Sequence, residues 1–244
     1  MVPSSLPRRL LAEFVGTALL VTVVIGSGIA AAQLSPSDVG LQLLENSTAT
    51  ALGLAVLILL FGPVSGAHFN PVVSLADWML GRRAASGIGG TGLLAYSTVQ
   101  VVGGVAGAML ANLMFDRRVI EIASKHRTTT GHLIGEVVAT AGLIALIFAL
   151  ARTERTGLSA AAVGAYIGAA YWFTSSTSFA NPAVTVGRVF SDTFAGIAPG
   201  SAPGFIAAQV VGGMIGLALV VVLYPDAARS ADEVVVPHHD TSAS

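Results

Sequence analysis

Six stretches of this 244-residue chain run to about twenty residues or more, the length of a membrane-crossing helix, with at most one Asp, Glu, Lys or Arg each. They cover 10–32, 46–64, 93–115, 131–150, 158–186 and 205–224. Glu13 and Glu136 are the only such charges inside them. Over the whole chain 10% of residues are charged and 54% are hydrophobic. A soluble domain carries about 25% charge, so this chain has too little to dress a globule of its size in water. The pattern predicts an all-α membrane protein with six transmembrane helices. Arg8-Arg9 precede the first apolar run, and no small-residue cleavage site follows, which reads as a retained first span rather than a leader.

The same inventory excludes several kinds of chemistry. There is no cysteine, so disulfides, thiolate metal sites and thiol catalysis are ruled out. Net charge is −1 and no basic run is long enough to track nucleic acid. His68, His126 and His132 are scattered, and His238-His239 lie in a polar tail, where an incidental pair is expected rather than a metal site. No metal or cofactor is expected. The spans hold no His-Glu-Xaa-Xaa-His and no aspartate pair, which argues against an enzyme.

Two stretches carry apolar chain beyond one span, at 65–80 and 174–186. Each runs from small polar residues into Asn-Pro and then apolar side chains. Irregular backbone of that kind survives at membrane depth only where protein or a water-filled cavity satisfies it. Both therefore read as re-entrant loops leading into half-helices, at 70–80 and 181–192.

The two belong to an internal repeat. Ala12-Glu13-Phe14-Val15-Gly16-Thr17-Ala18, Phe69-Asn70-Pro71-Val72-Val73 and Gln100-Val101-Val102-Gly103-Gly104 are answered by Gly135-Glu136-Val137-Val138-Ala139-Thr140-Ala141, Ala180-Asn181-Pro182-Ala183-Val184 and Gln209-Val210-Val211-Gly212-Gly213. The expected organisation is a first repeat over 1–115, a connecting loop over 116–130, a second repeat over 131–224 and a disordered polar tail over 225–244. Another flexible connector is expected at 81–92. Three spans per half make the second half inverted, and inverted repeats place their functional site near the midplane.

Proline suits the first helical turn and asparagine suits the cap, its side-chain oxygen accepting a backbone N–H from that turn. The carboxamide NH2 then remains to donate into a lumen. Inversion brings the two N-termini together, a meeting point that repels cations and offers donors to neutral polar solutes. Glu13 and Glu136 read as anchors for backbone N–H groups of their own re-entrant loops, with a proton relay as the alternative. His68 either lines the inner vestibule or is simply hydrogen-bonded. Gly103-Xaa-Xaa-Xaa-Gly107 and Gly212-Xaa-Xaa-Xaa-Gly216 predict close helix crossings. If the N-terminus is cytoplasmic, seven basic residues lie inside (Arg8, Arg9, Arg82, Arg83, Arg152, Arg155, Arg229) and five lie outside (Arg117, Arg118, Lys125, Arg127, Arg188), a small bias in that direction.

With Ala12-Glu13-Phe14-Xaa-Gly-Thr, Ser65-Gly66-Ala67-His68-Phe69-Asn70-Pro71-Val72 and Asn181-Pro182-Ala183 in place, residues 9–224 resemble the aquaporin (major intrinsic protein) family. The resemblance implies an inverted-repeat aquaporin-like fold of six spans plus two half-helices, in the cell (inner) membrane with cytoplasmic termini. It also implies a homotetramer with one pore per subunit, whose partners are the lipid bilayer, water and small neutral solutes. Asn70, Pro71, Val72, Asn181, Pro182 and Ala183 would form the pore motifs. By position relative to them, the outer filter would be Thr50, Ala169, Ser178 and Val184. Val184 stands where the family usually has arginine, and no aromatic or histidine occupies the first two positions. Four modest side chains imply a wide mouth, like that of a bacterial branch associated with arsenic resistance, so glycerol, urea, arsenous acid and related metalloid hydroxides are the candidate solutes. Arg188, about one turn beyond Val184, could return a guanidinium to the mouth. The competing function is a coupled secondary transporter, since inverted repeats and broken helices also build those; a midplane that offers only asparagines argues for a passive channel.

Overall fold

The computed structural model describes residues 4–84 and 87–224. The 225–244 tail and two residues of the 81–92 connector lie outside the described residues. Eight α-helices follow in order: α1 (Leu6–Leu34), α2 (Val39–Ser65), α3 (Pro71–Ala84), α4 (Gly90–Met114), α5 (Thr130–Arg152), α6 (Ser159–Phe173), α7 (Pro182–Gly187) and α8 (Ala202–Leu223). Their ends follow local chemistry. The Asp38 carboxylate accepts from Leu41 N at 2.9 Å to open α2, and the Thr129 hydroxyl accepts from His132 N at 3.2 Å to open α5. Gly66, at φ 87°, closes α2 in the left-handed conformation that only glycine adopts at little cost.

α1, α2, α4, α5 and the segment Pro199–Leu223 containing α8 are long and apolar enough to cross a membrane. The fifth apolar stretch folds differently from a full span. α6 has 15 residues, about 22 Å of helix, and is entered through a 3-10 turn at Thr156–Leu158. It stops where Thr174 takes an extended conformation and its hydroxyl turns back onto Ala170 O at 2.7 Å. The half-helices also depart from the sequence bounds. The first runs on to Ala84 rather than residue 80. The second ends at Gly187, passes through a 3-10 turn at Arg188–Phe190 and becomes extended at Ser191, because Asn112 Nδ2 captures Phe190 O at 3.0 Å and Ile197 N captures Arg188 O at 3.3 Å.

The long helices are apolar all round, as membrane spans are. Their outward faces carry Leu52, Val56, Leu59, Leu94, Val102 and Val222, each more than half exposed. In water such faces would drive aggregation; in a bilayer they meet lipid. Inward faces carry small residues that let backbones touch. A Cβ at Gly103 or Gly107 would collide with the carbonyls of Phe14 or Ala18 on α1, and one at Gly212 or Gly216 with those of Val137 or Ala141 on α5. α1 thus packs on α4, and α5 on α8, through the same small-residue device.

The connection between α4 and α5 is not a free loop. It lies across the segment following α7: Ala123 N donates to Val189 O at 2.9 Å, Ser124 N to Asp192 Oδ1 at 2.9 Å, and Ala198 N to Lys125 O at 2.8 Å. Arg127, 5% exposed, donates through Nε to Gly196 O at 3.1 Å. Burial pulls Arg127 down to about 10, and burial together with Arg127 and Arg188 pulls Lys125 down to about 8.

Candidate functional site

Two buried carboxylates hold the re-entrant loops. Glu13 on α1 is fully buried and accepts four bonds: from Ser65 Oγ (2.6 Å), His68 N (3.0 Å), Phe69 N (2.7 Å) and Gln100 Nε2 (2.8 Å). Glu136 on α5 is equally buried and accepts from Phe179 N (2.9 Å), Ala180 N (2.8 Å) and Gln209 Nε2 (2.6 Å). Gln100 also donates to Ser74 Oγ at 3.1 Å and Gln209 to Thr185 Oγ1 at 2.8 Å, so each glutamine ties a carboxylate to a half-helix. Gln100 and Gln209 are landmarks of the repeat to which residue types alone assign no role.

These bonds hold a strained backbone. Ala67 and Phe69 in the first loop, and Ser178 and Ala180 in the second, have φ of 48–50°. A side-chain-bearing residue there costs of order 1–3 kcal/mol and persists only when its surroundings over-determine it. Each loop has that conformation three residues and one residue before its asparagine.

The asparagines follow. Asn70 Oδ1 accepts from Val72 N at 2.9 Å, and Asn181 Oδ1 accepts from Ala183 N at 2.9 Å and Val184 N at 3.3 Å. Their NH2 groups are not wholly free, as the capping argument alone expects. Asn70 Nδ2 donates to Ala180 O and Asn181 Nδ2 to Phe69 O, both at 2.7 Å. Each amide cap of one loop is thus latched to the carbonyl of the other, leaving one N–H per asparagine for a solute. Of the two helix dipoles expected at this meeting point, α3 supplies a full one; α7, at six residues, adds little beyond first-turn N–H groups that Asn181 Oδ1 already engages.

A cavity of about 50 Å³ lies at this junction. Its walls are mainly apolar, with Leu20, Val24, Leu54, Ile58, Leu143, Ile147 and Val163 among them. Polar groups are few: His68, Asn70, Asn181, Thr50, Tyr171, Ser178 and Arg188. This is the composition of a small-molecule path, apolar with a few placed hydrogen-bonding groups. His68 Nδ1 lies 3.0 Å from Ser74 Oγ, and its ring packs edge-on to Tyr96 with centroids 5.3 Å apart.

The structure brings Thr50, Ser178 and Val184 to this cavity and leaves Ala169 out. Ala169 is exposed on the outer face of α6. The reason is helical phase: Val163, Ile167 and Tyr171 are spaced four apart and line the cavity, and Ala169, two residues from both Ile167 and Tyr171, points about 200° away. Tyr171 is the wall residue that position counting misses, although the four-residue spacing marks it. Arg188 does reach the cavity. It is 2% exposed, its Nε donates to Ala195 O, and its guanidinium lies 3.4 Å from the centre of the Phe179 ring. A wall with Tyr171 and Arg188 in it is narrower than four modest side chains imply.

Comparison with known proteins agrees with this architecture. The Major intrinsic protein family profile matches residues 2–180. Aquaglyceroporin AqpS of Rhizobium meliloti (strain 1021) is 47% identical over 215 residues, 88% of this chain and 89% of that protein. The glycerol uptake facilitator protein of Pseudomonas aeruginosa is 36% identical over 127 residues, 52% of this chain and 43% of its own length. The propanediol uptake facilitator PduF of Citrobacter freundii is 32% identical over 133 residues, 53% and 45% of the two chains. The X-ray structure of the aquaglyceroporin from Plasmodium falciparum superposes with a TM-score of 0.67 at 18% identity, covering 91% of this chain and 99% of that one, a likeness of fold.

Proposed function

This chain belongs to the major intrinsic protein family, and on that footing we propose that its central cavity is a passive pore for water and small uncharged solutes, glycerol, urea and arsenous acid among them. The observation that carries the reading is the reciprocal latch. Asn70 and Asn181 face the same cavity, each with one N–H bound across the loops and one left over. A neutral solute replaces its water hydrogen bonds with those donors, while a cation finds donors only and loses hydration. Glu13 and Glu136 direct their carboxylates to the re-entrant loops and to Gln100 and Gln209 rather than to the cavity, which favours a passive path over a coupled one.

By the family's filter positions, the outer end of the path is assigned to Thr50, Ser178 and Val184, and Arg188 lines the same cavity. Arg188 supplies the guanidinium that Val184 does not, one turn farther along and stacked on Phe179, so the mouth keeps a positive charge. The protein is a multi-pass membrane protein; its placement in the inner membrane with cytoplasmic termini, and a tetramer of independent pores, are part of the same proposal. Names of relatives support the solute class: one is an aquaglyceroporin and two are uptake facilitators for glycerol and propanediol.

The test is light scattering of proteoliposomes given gradients of glycerol, urea or arsenous acid. The proposal requires each to enter faster than in protein-free vesicles, down its gradient, at a rate indifferent to ionophores. Entry that needs an ion gradient would establish a coupled transporter instead.

A further inference from the structure

We infer that Val72, the residue after Pro71 in the first motif, is a spacer that sets how far α3 stands from α8 and so where Asn70 sits beside the cavity. The inference rests on the channel reading above and gives a duty to the valine that breaks the match between the two motifs. The repeat pairs Val72 and Ala76 with Ala183 and Gly187, and Gly213 with Gly104. In the second half the contact is backbone on backbone. A Cβ at Gly104 would stand 2.6 Å from Ala183 O, and one at Gly187 would stand 2.5 Å from Gly104 O. α7 therefore lies directly on α4. In the first half a side chain intervenes. A Cβ at Gly213 would collide with Val72 Cγ1, and Ala76 carries the methyl that Gly187 lacks.

This bulkier pair holds α3 off α8. Between the two helices lies an apolar crevice with no room for a water molecule, lined by Val72, Leu75 and Met79 of α3 and by Val210, Met214 and Leu217 of α8. The central cavity meets α3 on another face, at Val73 and at the capping Asn70, and no α8 residue lines it among the described residues. Val72 is 2% exposed, and its N–H closes the asparagine cap, 2.9 Å from Asn70 Oδ1. One residue thus completes the cap through its backbone and fixes the stand-off of the helix through its side chain. A valine in a helix has one strongly preferred rotamer, so the spacer is stiff. A shorter side chain at this position lets α3 settle toward α8 and draws Asn70 back from the cavity. The latch from Asn70 Nδ2 to Ala180 O then lengthens, and the junction widens.

The experiment measures melting in detergent and the glycerol-to-water permeability ratio in proteoliposomes. It compares the wild type with Val72→Ala, Val72→Thr, Gly213→Ala and the double variant of Val72→Ala with Gly213→Ala. Val72→Ala raises the ratio about threefold, the worth of one weakened hydrogen bond. Val72→Thr restores the branched shape and with it the wild-type ratio, although its buried hydroxyl lowers the melting temperature. Gly213→Ala also melts lower, because its methyl meets Val72. The two substitutions couple: Val72→Ala destabilises the wild type, yet the double variant melts higher than Gly213→Ala alone. Melting losses that simply add overturn the contact. An unchanged ratio in Val72→Ala, or an equal change in Val72→Thr, overturns the spacing role. If Gly213→Ala does not assemble, the ratios of the two Val72 variants decide alone. A wild type that passes neither water nor glycerol refutes the channel reading instead, and the melting comparison then still decides whether Val72 and Gly213 pack as described.

Discussion

Glu13→Gln discriminates between the two duties open to an intramembrane carboxylate. Glu13 accepts on one oxygen from Ser65 Oγ and His68 N, and on the other from Phe69 N and Gln100 Nε2. A glutamine has nearly the same shape but only one accepting atom. With its NH2 toward Ser65, the serine hydroxyl can rotate to accept, yet His68 N loses its acceptor. With its NH2 toward Gln100, that side chain can flip, yet Phe69 N loses its acceptor. Either way one buried backbone N–H is orphaned, at about 1–3 kcal/mol, and the remaining bonds lose their charge assistance. The total is about 2–4 kcal/mol, and it falls on a loop whose Ala67 and Phe69 are held in left-handed conformations. We expect a lower melting temperature in detergent, by about 5 °C or more, and reduced water and glycerol flux together, since the latch from Phe69 O to Asn181 shifts with the loop. A variant that melts as the wild type does, and loses only proton movement, would refute the anchoring argument and make Glu13 a relay.

Other perturbations separate packing from selection. Val184→Arg adds a second guanidinium to a neck that already holds Arg188, so glycerol and arsenous acid flux should fall while water flux persists; unchanged entry of the larger solutes would remove Val184 from the filter. Gly107→Leu drives a side chain into the Ala18 carbonyl and should destabilise by about 3 kcal/mol or more, whereas Gly157→Ala, with nothing near its Cβ, should express and melt normally. Lys125 is the chain's only lysine. Partial desolvation and the neighbouring Arg127 and Arg188 lower its amine from the usual 10.5 to about 8, so between those values the unfolded chain binds more protons than the folded one, and stability should rise slightly as pH increases from about 8 to 10.5. Amine acylation followed by peptide mapping should show half-maximal reactivity near pH 8. In sealed right-side-out vesicles the label should reach Lys125 from outside; labelling only from the cytoplasmic face would reverse the proposed orientation.

Much of this architecture is legible in the residues because membrane constraints are severe. Charge-free runs mark the spans, and Asn-Pro marks where a helix must start inside the membrane. Glu13 and Glu136 stand out because carboxylates at that depth require donors. What resists reading is phase and local termination. Counting backwards from Asn181 lands on Ala169, which does not line the cavity: α6 ends at Phe173 and continues as an irregular segment, so a fixed count does not carry helical phase across it. The spacing of Val163, Ile167 and Tyr171 marks the face of α6 that lines the cavity. The length of α7 is likewise set by distant partners, Asn112 on α4 and the backbone of Ile197, which no local pattern announces. Arg127 reads as an ordinary loop cation, yet it is buried because the connection folds back over the segment following α7.

The osmotic shrinkage rate of proteoliposomes containing the wild-type chain, set against protein-free vesicles of the same lipid, tests the central claim most directly. The latched cavity predicts shrinkage well above the protein-free rate, unaffected by collapsing ion gradients. A rate no faster than bare lipid would mean that the space beside Asn70 and Asn181 is not a path through the protein.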